Sequence, residues 1–153
     1  MDNEKHPQRF IPKISLIGQV LLKKKLISEE QLKDALSEQK ENGGLLGDIL
    51  IQKGFISEDK MCQALASQSD LCYIPLERYK VSKDILKLMS ADISDEYCCL
   101  PIDKIGDVLT ISMADPFNQK AINMIETIIH CKVVSVIGAK TQIEKMIKLY
   151  YQI

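Results

Sequence analysis

The hydrophobic and polar positions between residues 16 and 68 follow one pattern twice, with a period of 29 residues. Residues 16–39 align without a gap on residues 45–68, and ten of the 24 positions are identical. Leucine, isoleucine and alanine recur three or four residues apart in each copy, which is the spacing of an amphipathic helix. Two copies are too few for a solenoid, so the pattern predicts two helix pairs related by pseudo-symmetry.

Capping signals predict where the second helix of each copy begins. Ser28 is followed by two glutamates and by Gln31, which together make a Ser-x-x-Gln capping box. Ser57 occupies the same place in the second copy. Gly54 is expected to end the preceding helix there, whereas the first copy has Lys25 at that point.

The pattern changes after residue 68, from helical spacing to short β-branched runs and turn residues. It predicts a short helix, a tight turn around residues 105–107 and a strand that Pro101 places at an edge or a start. The predicted elements are a helix at 83–89, a turn at 91–97, strands at 97–102, 108–113 and 132–137, and helices at 119–129 and 141–151.

Together these elements predict an α+β fold, in which a helical tandem repeat of two helix pairs precedes a small three-stranded sheet with packed helices. We expect a disordered tail over residues 1–13, a helical repeat subdomain over 14–70 and an α/β subdomain over 71–153.

Composition narrows the class of protein. The chain has 153 residues, a formal net charge of −1 and 27% charged residues, which argues against a nucleic-acid-binding protein. No stretch approaches the ~20 apolar residues that span a bilayer. The five cysteines include no Cys-x-x-Cys pair, so we expect reduced, mostly buried thiols in a cytoplasmic protein, without a metal site.

The sequence contains few motifs that indicate catalysis or ligand binding. Residues 138–141 lack the spacing of a phosphate-binding loop, and His6 and His130 have no credible catalytic partner in the sequence. The run Lys23–Lys25 is read as a solvated helix end, with a patch for anionic membrane or nucleotide phosphate as the alternative.

Glutamine and glycine each recur in both copies at positions where a hydrophobic core residue would be expected. Gln39 and Gln68 end the apolar stripe of each copy. The side chain there either caps a neighbouring loop by hydrogen bonding or faces a ligand. Gly18 and Gly47 lie near the first turn of their helices, where glycine permits the close approach of another helix or of a ligand.

The paired units, the segments 97–102 and 113–116, and the closing Tyr150-Tyr151 resemble the N-terminal domain family of type II secretion and type IV pilus assembly ATPases. The resemblance covers about residues 14–151. It implies a domain that is not the motor but docks the ATPase core to an inner-membrane platform. A subset, typified by the mannose-sensitive haemagglutinin pilus ATPase, binds cyclic di-GMP across two tandem Arg-Leu-Gly…Gln motifs.

The resemblance also implies which residues would form a ligand site. The arginine positions of the two motifs are occupied by leucine, which offers neither a cation for phosphate nor a plane to stack on guanine. The implied site residues are Leu16, Ile17, Gly18 and Gln39 from the first motif, Leu45, Leu46, Gly47 and Gln68 from the second, and Asp115 from the second part of the domain.

We therefore expect a non-enzymatic docking or regulatory module that acts through protein–protein contacts. Its partners would be other components of a secretion or pilus machine, such as an inner-membrane platform protein or an ATPase core, and not nucleic acid or the membrane interior. The alternative is a cyclic di-GMP receptor, in which the dinucleotide is a ligand and not a resident cofactor, and a small enzyme is a third hypothesis. The expected location is cytoplasmic, peripheral to the inner membrane through a partner.

Overall fold

The computed structural model describes residues 13–152, which form two compact units that divide between Ala64 and Leu65. Each unit is described by itself. The predicted tail at 1–13 lies outside the described residues except for Lys13, with which the first helix begins, and His6 also lies outside them. The subdomain boundary expected after residue 70 stays a prediction.

Four helices follow one another from residue 13 to residue 68: α1 (Lys13–Lys23), α2 (Glu29–Asn42), α3 (Leu46–Gln52) and α4 (Glu58–Gln68). The capping box predicted for α2 is present: the Gln31 backbone N–H donates to Ser28 Oγ at 3.1 Å, and the Ser28 N–H donates to Gln31 Oε1 at 2.9 Å. At α4 the Lys60 N–H donates to Ser57 Oγ at 3.2 Å. Both helices therefore begin where their serines predicted.

The core of the N-terminal unit is built from residues 29 positions apart in the sequence. The members of each pair are both buried, so the same positions of the pattern face inward in both copies. The buried pairs are Ile17 with Leu46, Leu21 with Leu50, Ile27 with Ile56, and Ala35 with Ala64.

The chain leaves α1 and α3 in the same way. The Leu26 N–H donates to the Leu21 carbonyl at 2.9 Å, and the Phe55 N–H donates to the Leu50 carbonyl at 3.0 Å. The residue before each donor has a positive φ, +73° at Gly54 and +57° at Lys25. Lysine thus adopts in the first copy a left-handed conformation that the second copy gives to glycine.

The C-terminal unit contains a short 3-10 turn (Leu76–Arg78), α5 (Lys83–Leu86), α6 (Ala91–Glu96), β1 (Cys99–Ile105), β2 (Val108–Met113), α7 (Gln119–Ile129), β3 (Lys132–Ile137) and α8 (Lys140–Tyr151). The bounds of β2, α7 and β3 are those predicted. The helix predicted to reach residue 89 ends at Leu86.

The first strand differs from the prediction of 97–102, because it begins and ends later. Cys98 has a φ of +45°, a left-handed conformation that a strand cannot include, so pairing starts at Cys99. The register shifts between Pro101 and Asp103, and beyond this bulge β1 continues to Ile105.

The sheet has the order β1-β2-β3, with β1 antiparallel and β3 parallel to β2. Pro101 therefore lies on an edge strand, as predicted. One face of the sheet packs with α7 and the other with α8, which confirms the α+β class. The first cluster includes Leu109, Ile111, Met113, Ile122 and Ile125, and the second includes Leu100, Ile102, Val136, Ile143 and Ile147.

Candidate ligand and docking site

The nine residues of the implied ligand site are divided between the two units. Gln68 and Asp115 lie in the C-terminal unit, and the other seven lie in the N-terminal unit. Their joint role in one site therefore stays a prediction, and the local setting of each residue indicates what it can contribute.

The motif glycines pack against the second helix of their own copy. A Cβ on Gly18 would lie 3.1 Å from Leu32 Cδ1 and 3.7 Å from Leu46 Cδ2, and one on Gly47 would lie 3.6 Å from Met61 Cε. These contacts favour close helix packing over ligand contact as the reason for glycine. The neighbouring Ile17 and Leu46 are core residues.

Leu16 and Leu45, at the arginine positions of the motifs, have exposed side chains. Leu16 is 41% exposed on α1, and Leu45 is 54% exposed at the residue that precedes α3. Larger polar side chains at these two positions would extend into solvent without displacing the core. Leucine at both positions therefore makes this part of the surface apolar.

The two glutamines have different settings. Gln39 is half-buried, and its Nε2 donates to the Gly44 carbonyl at 3.0 Å, so that the side chain satisfies the loop after α2. Gln68 is exposed at the end of α4, and its side-chain amide makes no hydrogen bond to the described part of the chain. Of the two, Gln68 keeps its amide available to a ligand.

Asp115 begins the loop between β2 and α7. Its Oδ1 accepts from the Phe117 N–H at 3.3 Å, and its carbonyl accepts from the Asn118 N–H at 3.3 Å. These bonds form the turn that Asp-Pro sequences favour. The side chain is exposed, so its second carboxylate oxygen faces solvent.

An ion-pair cluster, which sequence reasoning missed, joins α2 to the end of α3. Lys53 Nζ lies 2.7 Å from Glu38 Oε2 and 3.3 Å from Asp34 Oδ2. Hydrogen bonds to these two carboxylates raise the pKa of Lys53. The four-residue spacing of the two acids was visible in the sequence, but their lysine partner on the next helix was not.

A shallow groove, here called the α1–α2 groove, runs along the N-terminal unit. It consists of two adjoining depressions of about 360 and 430 Å³ that share Leu22 and Glu29. Its remaining lining residues are Lys25, Leu26, Ile27, Ser28, Gln31, Leu32, Lys33, Leu36, Ser37 and Lys40. Leu36 belongs to the apolar stripe of α2, yet it is 42% exposed in this groove.

The thiols are less uniformly buried than expected. Cys62 and Cys99 are buried, Cys98 and Cys131 are half-buried, and Cys72 is exposed. Burial raises the pKa of both Cys62 and Cys99 to about 12, which makes them poor nucleophiles. Within residues 13–152, no group of three or more histidine, cysteine or acidic side chains is placed to hold a metal ion.

No helix in the described part of the chain is long and apolar enough to cross a lipid bilayer.

Comparison with known families identifies the domain. The model of the MshEN domain matches residues 69–153, more than half of the chain. The chain belongs to the MshEN domain family. This confirms the predicted membership of the N-terminal domain family of type II secretion and type IV pilus assembly ATPases.

Individual relatives agree with this assignment. A structure of MshE with cyclic di-GMP is 33% identical, with a TM-score of 0.76, over 88% of this chain and 98% of that one. The N-terminal domain of XpsE shares the fold, with a TM-score of 0.70 at 19% identity, over 88% of this chain and 92% of that one. The type IV pilus assembly ATPase PilB of Myxococcus xanthus (strain DK1622) is 30% identical over 135 residues, which are 88% of this chain and 24% of PilB. The chain therefore spans about a quarter of the length of that relative.

Proposed function

We propose that this MshEN domain is a non-enzymatic docking or regulatory module of a secretion or pilus assembly machine. The observation that carries the proposal is the match to the type IV pilus assembly ATPase PilB, which is 30% identical over 88% of this chain and 24% of PilB. Membership of the MshEN domain family supports it. The domain would bind an inner-membrane platform protein or an ATPase core, on the cytoplasmic side of the inner membrane.

The settings of the residues support binding rather than catalysis. Burial raises the pKa of Cys62 and Cys99 to about 12, so neither thiol is an effective nucleophile. The exposed surface instead carries the apolar and basic α1–α2 groove. Such surface is suited to recognising a partner.

The docking function is tested by pairwise binding experiments with purified components. The chain is immobilised, and the cytosolic part of the platform protein and the ATPase core of the same organism are each titrated against it. We expect saturable binding to at least one of them. The absence of binding by both, to a chain that circular dichroism shows to be folded, contradicts the proposal.

Cyclic di-GMP reception is the second candidate, and the structure of MshE with cyclic di-GMP favours it. The exposed Gln68 amide and the solvent-facing carboxylate of Asp115 are the polar groups of the implied motif that remain available. Both phosphates would lack the motif arginines, since leucine stands at positions 16 and 45.

Calorimetric titration with cyclic di-GMP tests this second candidate. If the dinucleotide binds through the implied motif, Gln68→Ala weakens binding by about tenfold, the equivalent of one charge-assisted or well-made hydrogen bond. Gln63→Ala on the same helix is the matched control, because the Gln63 amide already donates a hydrogen bond to Asp59. Equal affinities for both variants and the parent chain would exclude Gln68 from the pocket.

A further inference from the structure

The α1–α2 groove contains leucine side chains that are exposed or half-buried. Leu36 is 42% exposed, and Leu22 and Leu32 beside it are half-buried. The equivalent of Leu32 in the second copy, Met61, is 4% exposed. Leu65, the equivalent of Leu36, is half-buried, so these two positions are more exposed in the first copy than in the second.

The charged side chains that line this groove are mostly basic. Lys25, Lys33 and Lys40 line it together with a single acid, Glu29. None of the three lysines forms a salt bridge with another residue of 13–152. The acids Asp34 and Glu38 of the same helix do not line the groove and pair with Lys53 instead.

The residues of α2 that line the groove are spaced for contact with another helix. Lys33, Leu36, Ser37 and Lys40 lie three, four and seven positions apart, so they share one face of α2. The two lysines are separated by two helical turns, about 10.5 Å along the axis. An apolar strip between two such cations complements an amphipathic helix that carries acids on the flank of its apolar stripe.

We infer that the α1–α2 groove receives an amphipathic helix of a protein partner, with apolar residues at i, i+3 or i+4, and i+7 and acidic residues two turns apart. The inference rests on the proposed docking function and specifies its surface. The apolar stripe of the partner contacts Leu22, Leu32 and Leu36, and its acids pair with Lys33 and Lys40.

The first experiment measures the affinity of groove variants for whichever machine component binds the parent chain. Lys33→Glu with Lys40→Glu, and separately Leu36→Glu, should each weaken binding at least tenfold. Lys60→Glu with Lys87→Glu is the matched control, since it changes the net charge equally at exposed positions outside the groove. Circular dichroism and thermal melting establish that every variant is folded.

The outcomes separate this inference from the proposed function. Weaker binding by the groove variants alone supports the inference. Equal binding by groove and control variants overturns it and leaves the docking function standing. A parent chain that binds no component contradicts both. Loss of cyclic di-GMP binding in the groove variants, with partner binding intact, assigns the groove to a nucleotide and overturns the inference.

A second experiment identifies the occupant. The photocrosslinking variant Ser37→p-benzoylphenylalanine is irradiated in the complex, and the linked peptide is sequenced by mass spectrometry. The expected product is a helical segment of the component with an acidic, amphipathic pattern. A crosslink to a basic or extended segment, or to a second copy of this chain, overturns the inference.

Discussion

Two single residues bear on the proposed cyclic di-GMP reception. The sequence resemblance predicts that Leu16 and Leu45 occupy the arginine positions of the two motifs, and both are exposed. The sequence predicted the replacement but not the exposure, because hydrophobic residues at helical spacing are ordinarily assigned to a core. Arginine at these positions would restore the cations without steric cost.

We predict that Leu16→Arg with Leu45→Arg increases the affinity for cyclic di-GMP at least tenfold, since each arginine adds charge-assisted hydrogen bonds to phosphate. Calorimetric titration measures the change. The control is Ile105→Arg with Leu149→Arg, which adds the same charge at positions that are 76% and 63% exposed. If both pairs raise the affinity equally, general charge and not the motif is responsible.

Gly138 shows a constraint that the sequence did not indicate. A Cβ there would overlap Ser112 Oγ and lie 2.8 Å from Ile143 Cδ1. Ser112 is fully buried, and its hydroxyl has no hydrogen-bond partner among the described residues. Ser112 pairs with Leu100 and Val136, which belong to the cluster that packs with α8, so that helix buries this face of β2.

We predict that Gly138→Ala lowers the free energy of unfolding by about 1–3 kcal/mol through overpacking. Ser112→Ala should raise it by about 1 kcal/mol, because it removes a buried hydroxyl that makes no hydrogen bond. In the double variant the two effects should not add, since the clash with Oγ is also gone. Urea denaturation measures all three, and strict additivity would refute the contact.

At the scale of elements, local signals predicted most of the fold. Serine caps fix the starts of α2 and α4 through hydrogen bonds to residues three positions away. Runs of β-branched residues likewise predicted the bounds of β2 and β3 from local sequence. The start of β1 depends on the left-handed Cys98, and its end depends on a bulge. The spacing of hydrophobic residues indicates neither feature, so both predicted ends of this strand were wrong.

The exits from α1 and α3 yield a prediction about strain. Lys25 has a φ of +57° where the second copy has Gly54, and a side chain in this region costs about 1–2 kcal/mol. We predict that Lys25→Gly stabilises the protein by about 1 kcal/mol, after the entropy of glycine in the unfolded chain is subtracted.

Thermal or urea unfolding of Lys25→Gly measures this effect. The control is Lys25→Ala, which removes the same charge and keeps the Cβ. A glycine variant that is no more stable than the alanine variant would show that the left-handed conformation carries no cost here.

At the scale of the whole molecule, the sequence predicted the family and the α+β class, and the fold agrees with both. The α1–α2 groove and the Lys53 cluster could not be predicted, because they depend on how α2 lies against its neighbours. The outward position of Leu36 is a tertiary property of the same kind. The proposed docking surface rests on the groove and on the exposure of Leu36.

The most direct test of the account is a titration of this chain with the cytosolic part of the platform protein and with the ATPase core from the same organism. A docking module predicts saturable one-to-one binding to at least one of them, with a Kd on the order of micromolar, as is usual for transient interfaces. Cyclic di-GMP, if it binds, should change this affinity by the same factor by which the partner changes the affinity for the dinucleotide. No binding to either component by the folded chain would contradict the central claim.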